Sequence, residues 1–272
     1  MSMQTEKLVA IRVKLNRALS HIREVNDHVG AFLQGNPFIV GVKTERQQTI
    51  YYLEAMTEPP AELSAITGEV LFNLRSALDH LAYSLAEMNH SSKAILRRTC
   101  FPISDKLADY RPHAQSKLSG LGQKAAAAIN ALEPYNGGKG TLLWRLHRLN
   151  NIDKHRMLIT VGCQLSGFRL HTTRRRQMHK AIHAEAGITL TDAEAEALNP
   201  YLNPDRKTVL KKGTVLVRDL FGNEEESQTE KFAFDIALNE PSIIDCEPLV
   251  PALVEIAEHV DKVTKDLEPF FV

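Results

Sequence analysis

Cysteine is scarce: Cys100, Cys163 and Cys246 are the three in 272 residues, far apart and odd in number. No Cys-x-x-Cys pair exists, so neither a zinc ribbon nor a disulfide framework is supported. An excess of charge of either sign is lacking too. Lys plus Arg and Asp plus Glu each total 33, so no global field draws in nucleic acid or anionic lipid, and any such affinity must come from a local patch. No apolar run approaches the roughly 18 to 20 residues of a membrane-spanning helix. The stretch MSMQTEKLVAIRVKLNR has no apolar segment resembling a signal peptide. A Gly-x-Ser-x-Gly elbow and a dinucleotide fingerprint are missing as well. The loop GGKGT at Gly137–Thr141 lacks the rest of a phosphate-binding Gly-x-x-x-x-Gly-Lys-Ser/Thr motif. These absences point to a reduced, cytoplasmic, soluble protein without membrane contact. They give no support for a nucleotide triphosphatase.

Hydrophobic content of 43% and charged content of 24% suit a globular chain with a full core. From Thr5 to Leu33, apolar residues recur every three or four positions, which predicts a long amphipathic helix ending near Gly35-Asn36-Pro37. The strings PFIVGV and QTIYYLEAM predict a strand hairpin. Pro59-Pro60 then stops the strand and opens a helix over Ala61–Met88. CFPISDK reads as loop, with helices from about Gly122 to Leu132 and over TLLWRLHRLNNIDKHR. Met157–Gly162 and Phe168–Thr172 read as a second hairpin, and Thr191-Asp-Ala-Glu194 as a capping box for a short helix. TVLKKGTVLVRDLF and EKFAFDIAL alternate as strands, Asn223–Glu226 reads as a charged hairpin tip, and a final helix runs from about Pro248 to Phe270. Helices and strands are grouped, not alternating, so the expected class is α+β: packed long helices with antiparallel strands covering one side. The expectation is one domain over residues 1–272. Its helical part covers about 1–156, its strand-rich part 157–247 and its C-terminal helix 248–272.

Two segments carry unusual chemistry for helices. In NLRSALDHLAYSL, Asn73, Arg75, Ser76, Asp79, His80 and Tyr83 gather opposite the apolar arc, and no Lys lies between Glu69 and Asn89. Short polar side chains cost helix propensity, so fixed partners explain them better than water does. Arg75–Asp79 and Ser76–His80 are also at the spacing of local pairs. In RLNNIDKHR, Arg148, Asn151 and His155 share a face, with Trp144 and His147 close to it, while Asn150 and Asp153 point toward packed structure. Asp153 or Asn150 is the expected partner for the Arg75 fork. The two segments are therefore expected to meet. Arg174, Arg175, Arg176 and Lys180 form the best basic run for phosphate contacts, set against a solvated strand edge or turn.

The strings NLRSALDHLA, FPI and LNNIDKHR, in this order, resemble an uncharacterised bacterial protein family over much of Thr5–Thr160. Arg75 followed by His80, and Arg148 followed by His155, also resemble the Arg, four to six residues, His pattern of the HEPN superfamily (higher eukaryote and prokaryote nucleotide-binding domains). That resemblance implies a metal-independent endoribonuclease of a toxin or phage-defence system, acting on RNA as a homodimer and using no cofactor. It would make Arg75 and His80, or Arg148 and His155, the active pair, with Ser76 or Asn151 assisting. HEPN domains are all-helical, and this chain is not. Arg75 and His80 also lie about 140° apart on an ideal helix, so joint action needs a bend or a second subunit. Two alternatives stand beside it. One is a non-catalytic scaffold or binding module whose polar motifs are structural. The other is a metal-dependent hydrolase using Asp79, His80, Asp153 and His155.

Overall fold

A computed structural model of the chain describes residues 3–46, 48–155, 161–169, 173–198, 208–219 and 230–271. The elements in order are α1 (Met3–Gln34), β1 (Phe38–Glu45), β2 (Gln48–Met56), α2 (Ala61–Met88), α3 (Lys93–Leu96), α4 (Leu107–Lys117), α5 (Gln123–Ala131) and α6 (Thr141–His155). Then come β3 (Val161–Arg169), α7 (Thr173–Glu185), α8 (Asp192–Ala197), β4 (Val215–Asp219), β5 (Lys231–Glu240), β6 (Ile244–Pro248) and α9 (Leu249–Leu267), closed by a 3-10 turn over Glu268–Phe270. The class is α+β. The strands form two antiparallel three-stranded sheets, ordered β1-β2-β4 and β3-β5-β6. Among the described residues no helix is long and apolar enough to cross a membrane.

Four long helices make the central bundle. α1 lays Ile11, Leu15, Ala18, Ile22, Val25 and Val29 into the core at three- and four-residue spacing. α9 does the same with Leu249, Leu253, Ile256, Val260, Val263 and Leu267. Each is a one-sided amphipathic helix. α2 is different: it packs on α1, α6 and α9, so it is buried on most of its circumference. That is why its polar residues Thr67, Asn73, Arg75 and Ser84 are buried and have to be hydrogen-bonded locally or across an interface. The β3-β5-β6 sheet lies against α1 and α9. The stacked rings of Phe38 and Phe234, with centroids 4.1 Å apart, link the two sheets.

Several local expectations are corrected. Gly162 and Phe168 do not belong to two strands of a hairpin. They lie on the single strand β3, whose partner is β5, some 70 residues further on. Met157–Thr160, residues 170–172, the Asn223–Glu226 tip and Arg156 lie outside the described residues. Of the strand expected over TVLKKGTVLVRDLF, the described residues form only β4, because Gly213 takes a left-handed φ of 86° and turns the chain just before it. The basic run is not a strand edge or turn: it opens the helix α7. Helix α4 was not expected at all. It holds Pro112 in its interior, so one backbone donor is missing, and it shows little apolar periodicity. The capping box stands as read: Thr191 Oγ1 accepts from the Glu194 N–H at 3.2 Å, and Glu194 Oε2 accepts from the Thr191 N–H at 2.8 Å.

Candidate active site

The site is built on the seam between α2 and α6, which run antiparallel. At one end the Asp153 carboxylate sits on Gly68; a Cβ there would lie 2.4 Å from Asp153 Oδ1. One turn further along α2, the Lys154 ammonium lies 5.1 Å from the Phe72 ring centroid. Toward the other end the Arg75 charge is felt by the His147 imidazole. The helices that carry the two sequence motifs therefore pack against one another.

Arg75 is 7% exposed. Its Nη2 donates to the Phe101 carbonyl at 2.8 Å and pairs with Asp79 Oδ1 at 2.8 Å. The same Asp79 oxygen accepts the Phe101 N–H at 3.0 Å. One helical turn thus grips both polar groups of a single peptide residue, a use of charged side chains in which each hydrogen bond is worth more than a neutral one. This corrects the expected partnership of Arg75 with Asp153 or Asn150. Asp153 belongs to Gly68, and burial pushes its carboxyl up.

Phe101 begins the FPI loop, and α6 holds the other end of that loop. Asp105 Oδ1 accepts from Trp144 Nε1 at 2.8 Å, and its Oδ2 lies 3.5 Å from Arg148 Nη1. Ser104 Oγ lies 3.2 Å from Nδ1 of His113, on α4. The loop is thereby strung between α2 and α6, and it places His113 where it interacts electrostatically with Arg75 and His147.

His147 is the most perturbed imidazole of the group. Burial and then the Arg75 charge depress it to about 4, against an opposing pull from Asp105. His113 is lowered too, by burial and then by Lys117 and Arg75. Both rings are therefore neutral at neutral pH. Asn151, one turn on from His147, has Nδ2 3.0 Å from His147 Nε2. With that amide orientation Nε2 accepts and the ring proton sits on Nδ1. His147 Nδ1 and Arg75 Nη1 are both buried and have no hydrogen-bond partner among the described residues. Each helix of the seam thus carries one buried donor whose hydrogen bond is unmet among the described residues.

The remaining motif residues lie elsewhere or serve other purposes. His80 is exposed and lines an open groove of about 550 Å³ with Lys7, Tyr83, Glu87 and Thr99. His155 is exposed at the end of α6. Neither sits with Arg75 and His147. Asn73 donates its amide to the Glu69 carbonyl at 2.8 Å, Ser76 is half-buried, and Asn150 is fully buried with Oδ1 unpartnered among the described residues. Ser76 and His80 make no hydrogen bond to each other among the described residues. Asp79, His80, Asp153 and His155 do not converge. Among the described residues no three His, Cys, Asp or Glu side chains group as metal ligands do. On α7, Lys180 is bound to Asp192 at 2.6 Å, and Arg176 also acts on that carboxylate, so α8 partly neutralises the basic run. The side chains of Arg174 and Arg175 are outside the described set.

His147 carried a faint signal, its four-residue spacing to Asn151. His113 carried none, because the helix that presents it was itself unreadable. Compared with protein-family models, with curated proteins and with solved structures, the chain matches none.

Proposed function

We propose that the protein is a metal-independent endoribonuclease whose site is the α2–α6 seam. The observation that carries this reading is the pair of buried donors, Arg75 Nη1 and His147 Nδ1, one on each helix of the seam and neither with an acceptor among the described residues. Donors fixed in a dry setting are suited to the oxygens of a phosphodiester as it gains charge. In the proposed reaction His113 takes the proton of a ribose 2′-hydroxyl and that oxygen attacks phosphorus. The bond to the 5′-oxygen breaks, and the leaving oxygen takes a proton from water. The products are a 2′,3′-cyclic phosphate and a 5′-hydroxyl end. Arg75, His147 and Arg148 bind and stabilise the phosphoryl oxygens.

This keeps the reaction class implied by the HEPN resemblance and replaces its histidines, His147 and His113 standing in for His80 and His155. Because both helices of the seam belong to one chain, a homodimer is not needed to complete the site. A cytoplasmic setting, where thiols remain reduced, goes with the reading and is supported by the three cysteines, which form no disulfide with one another.

One observation favours a second reading. Arg75 and Asp79 clamp the Phe101 backbone, which is what a structural motif in a non-catalytic scaffold or binding module would do. His147→Ala and His113→Ala separate the two readings. The ribonuclease reading expects RNA cleavage by the wild type that each variant loses while its circular dichroism spectrum is kept. A wild type inert on structured and unstructured RNAs would leave the scaffold reading.

A further inference from the structure

The two sheets face each other across a gap that their side chains do not fill. On β1 every second residue from Phe38 to Val42 lines that gap, and Tyr51 joins them from β2, opposite Val42. From the other sheet come Phe232 and Phe234 of β5, with Glu230 two residues ahead. The sheets touch where Phe38 stacks on Phe234 and where the Tyr51 and Phe232 rings lie 5.4 Å apart. Beside those contacts a cavity of about 560 Å³ stays open. Inner faces of packed sheets normally interdigitate into a closed layer. Here Phe38, Val40, Val42, Phe232 and Phe234 are only half-buried, so apolar surface that a closed layer would cover is left to the cavity.

The size falls within the range of small-molecule sites, about 300 to 1,000 Å³, whose walls are apolar and aromatic with a few polar groups set among them. The lining decides the ligand's chemistry. Glu230 is the one acidic residue among the described lining residues, and no Lys, Arg or His stands among them. Its Oε1 accepts from the Tyr51 hydroxyl at 3.2 Å. An ionised carboxylate accepts at about four positions, more than that hydroxyl fills. An anion would be repelled here. A metal ion would have to exchange its water for rings and valines, and among the described residues no three ligating side chains group together. A neutral ligand would strip water from the carboxylate and give nothing back. A cation that carries its charge beneath alkyl groups satisfies both parts of the lining, and aromatic walls suit such ions.

We infer that the cleft between the two sheets binds an alkylated ammonium compound, with the charge at Glu230 and the alkyl groups against Phe232, Phe234 and Val42. The cleft shares no residue with the α2–α6 seam, so this site stands independently of the ribonuclease reading.

The test titrates the full chain with choline and with its neutral isostere, 3,3-dimethylbutan-1-ol, by isothermal titration calorimetry. Wild type should bind choline about fivefold more tightly than the isostere, the ratio for one partly screened charge contact. Glu230→Gln should remove that preference and leave the affinity for the isostere unchanged. Phe232→Ala should weaken both ligands, because each loses apolar contact. In nuclear magnetic resonance spectra the choline methyl protons should show Overhauser contacts to the Phe232 and Phe234 rings. No binding of choline, equal affinity of wild type for the two ligands, or an undiminished preference in Glu230→Gln would overturn the site. If circular dichroism shows that Glu230→Gln does not fold, the wild-type comparison and the Overhauser contacts decide: choline binding that leaves both rings untouched overturns the site.

Discussion

Acidification should unfold this protein through His147, by an amount the seam fixes. Burial and the Arg75 guanidinium hold the folded imidazole at about 4, against an ordinary value of 6.5. The unfolded chain therefore takes up this proton first as pH falls. The stability from keeping His147 neutral is complete above about 6.5 and is lost between there and about 4. Over that span the difference is roughly 3 kcal/mol, at about 1.4 kcal/mol for each tenfold change in proton affinity. The assay is urea unfolding followed by far-ultraviolet circular dichroism near pH 7 and near pH 4, on wild type and His147→Gln. Glutamine retains a polar group beside Asn151 and does not titrate. All other ionisable groups are common to both proteins, so the change in their stability difference isolates this ring. Wild type should lose roughly 3 kcal/mol more than the variant. A stability gap between the two proteins that stays constant with pH would refute the claim that His147 is buried neutral beside Arg75.

Gly68→Ala should destabilise by about 1 to 2 kcal/mol, because its Cβ would displace the Asp153 carboxylate, even though alanine alone favours a helix by about 1 kcal/mol. In an Asp153→Ala background the same change should become stabilising; stabilisation in both backgrounds, by thermal melting, would remove the Gly68–Asp153 contact from the account. Asp79→Asn should cost about 1 kcal/mol, since its side chain is partly open to solvent and only part of the charged hydrogen bonding is lost. Hydrogen exchange at the Phe101 amide should quicken severalfold in that variant; unchanged protection would show that Asp79 does not hold the FPI loop.

Much of the frame was legible because it is written in local patterns. Pro59-Pro60 and an unbroken apolar arc set α2 at Ala61–Met88 in both sequence and structure. The Gly35-Asn36-Pro37 break closed α1 within a residue or two of its expected end. What failed was non-local or lacked amphipathic contrast. α7 is mostly polar on every side, and α4 contains Pro112, so neither shows a face. β3 needed a partner strand some 70 residues away to be recognised as one strand.

The site divides along the same line. Arg75 and Asp79, four apart, were readable as a local pair, and they are one. That the pair closes on the backbone of Phe101 was not readable, since a peptide group carries no side-chain signature. Arg and His at tolerant spacing pointed to His80 and His155, whereas the fold turns both outward, and the histidines on which the Arg75 charge acts are His147 and His113.

The most direct test of the central claim is the pH dependence of RNA cleavage, measured as kcat/KM with EDTA present throughout. The account predicts cleavage that EDTA leaves intact and that ends in 2′,3′-cyclic phosphates. Its rate should climb with pH through the depressed value of His113, below the ordinary 6.5, and stay level across neutrality, because the base acts in its neutral form. Any residual cleavage by His113→Ala should lack that limb. Cleavage that EDTA abolishes, a rate that still climbs above about pH 8, or no cleavage at all would contradict it.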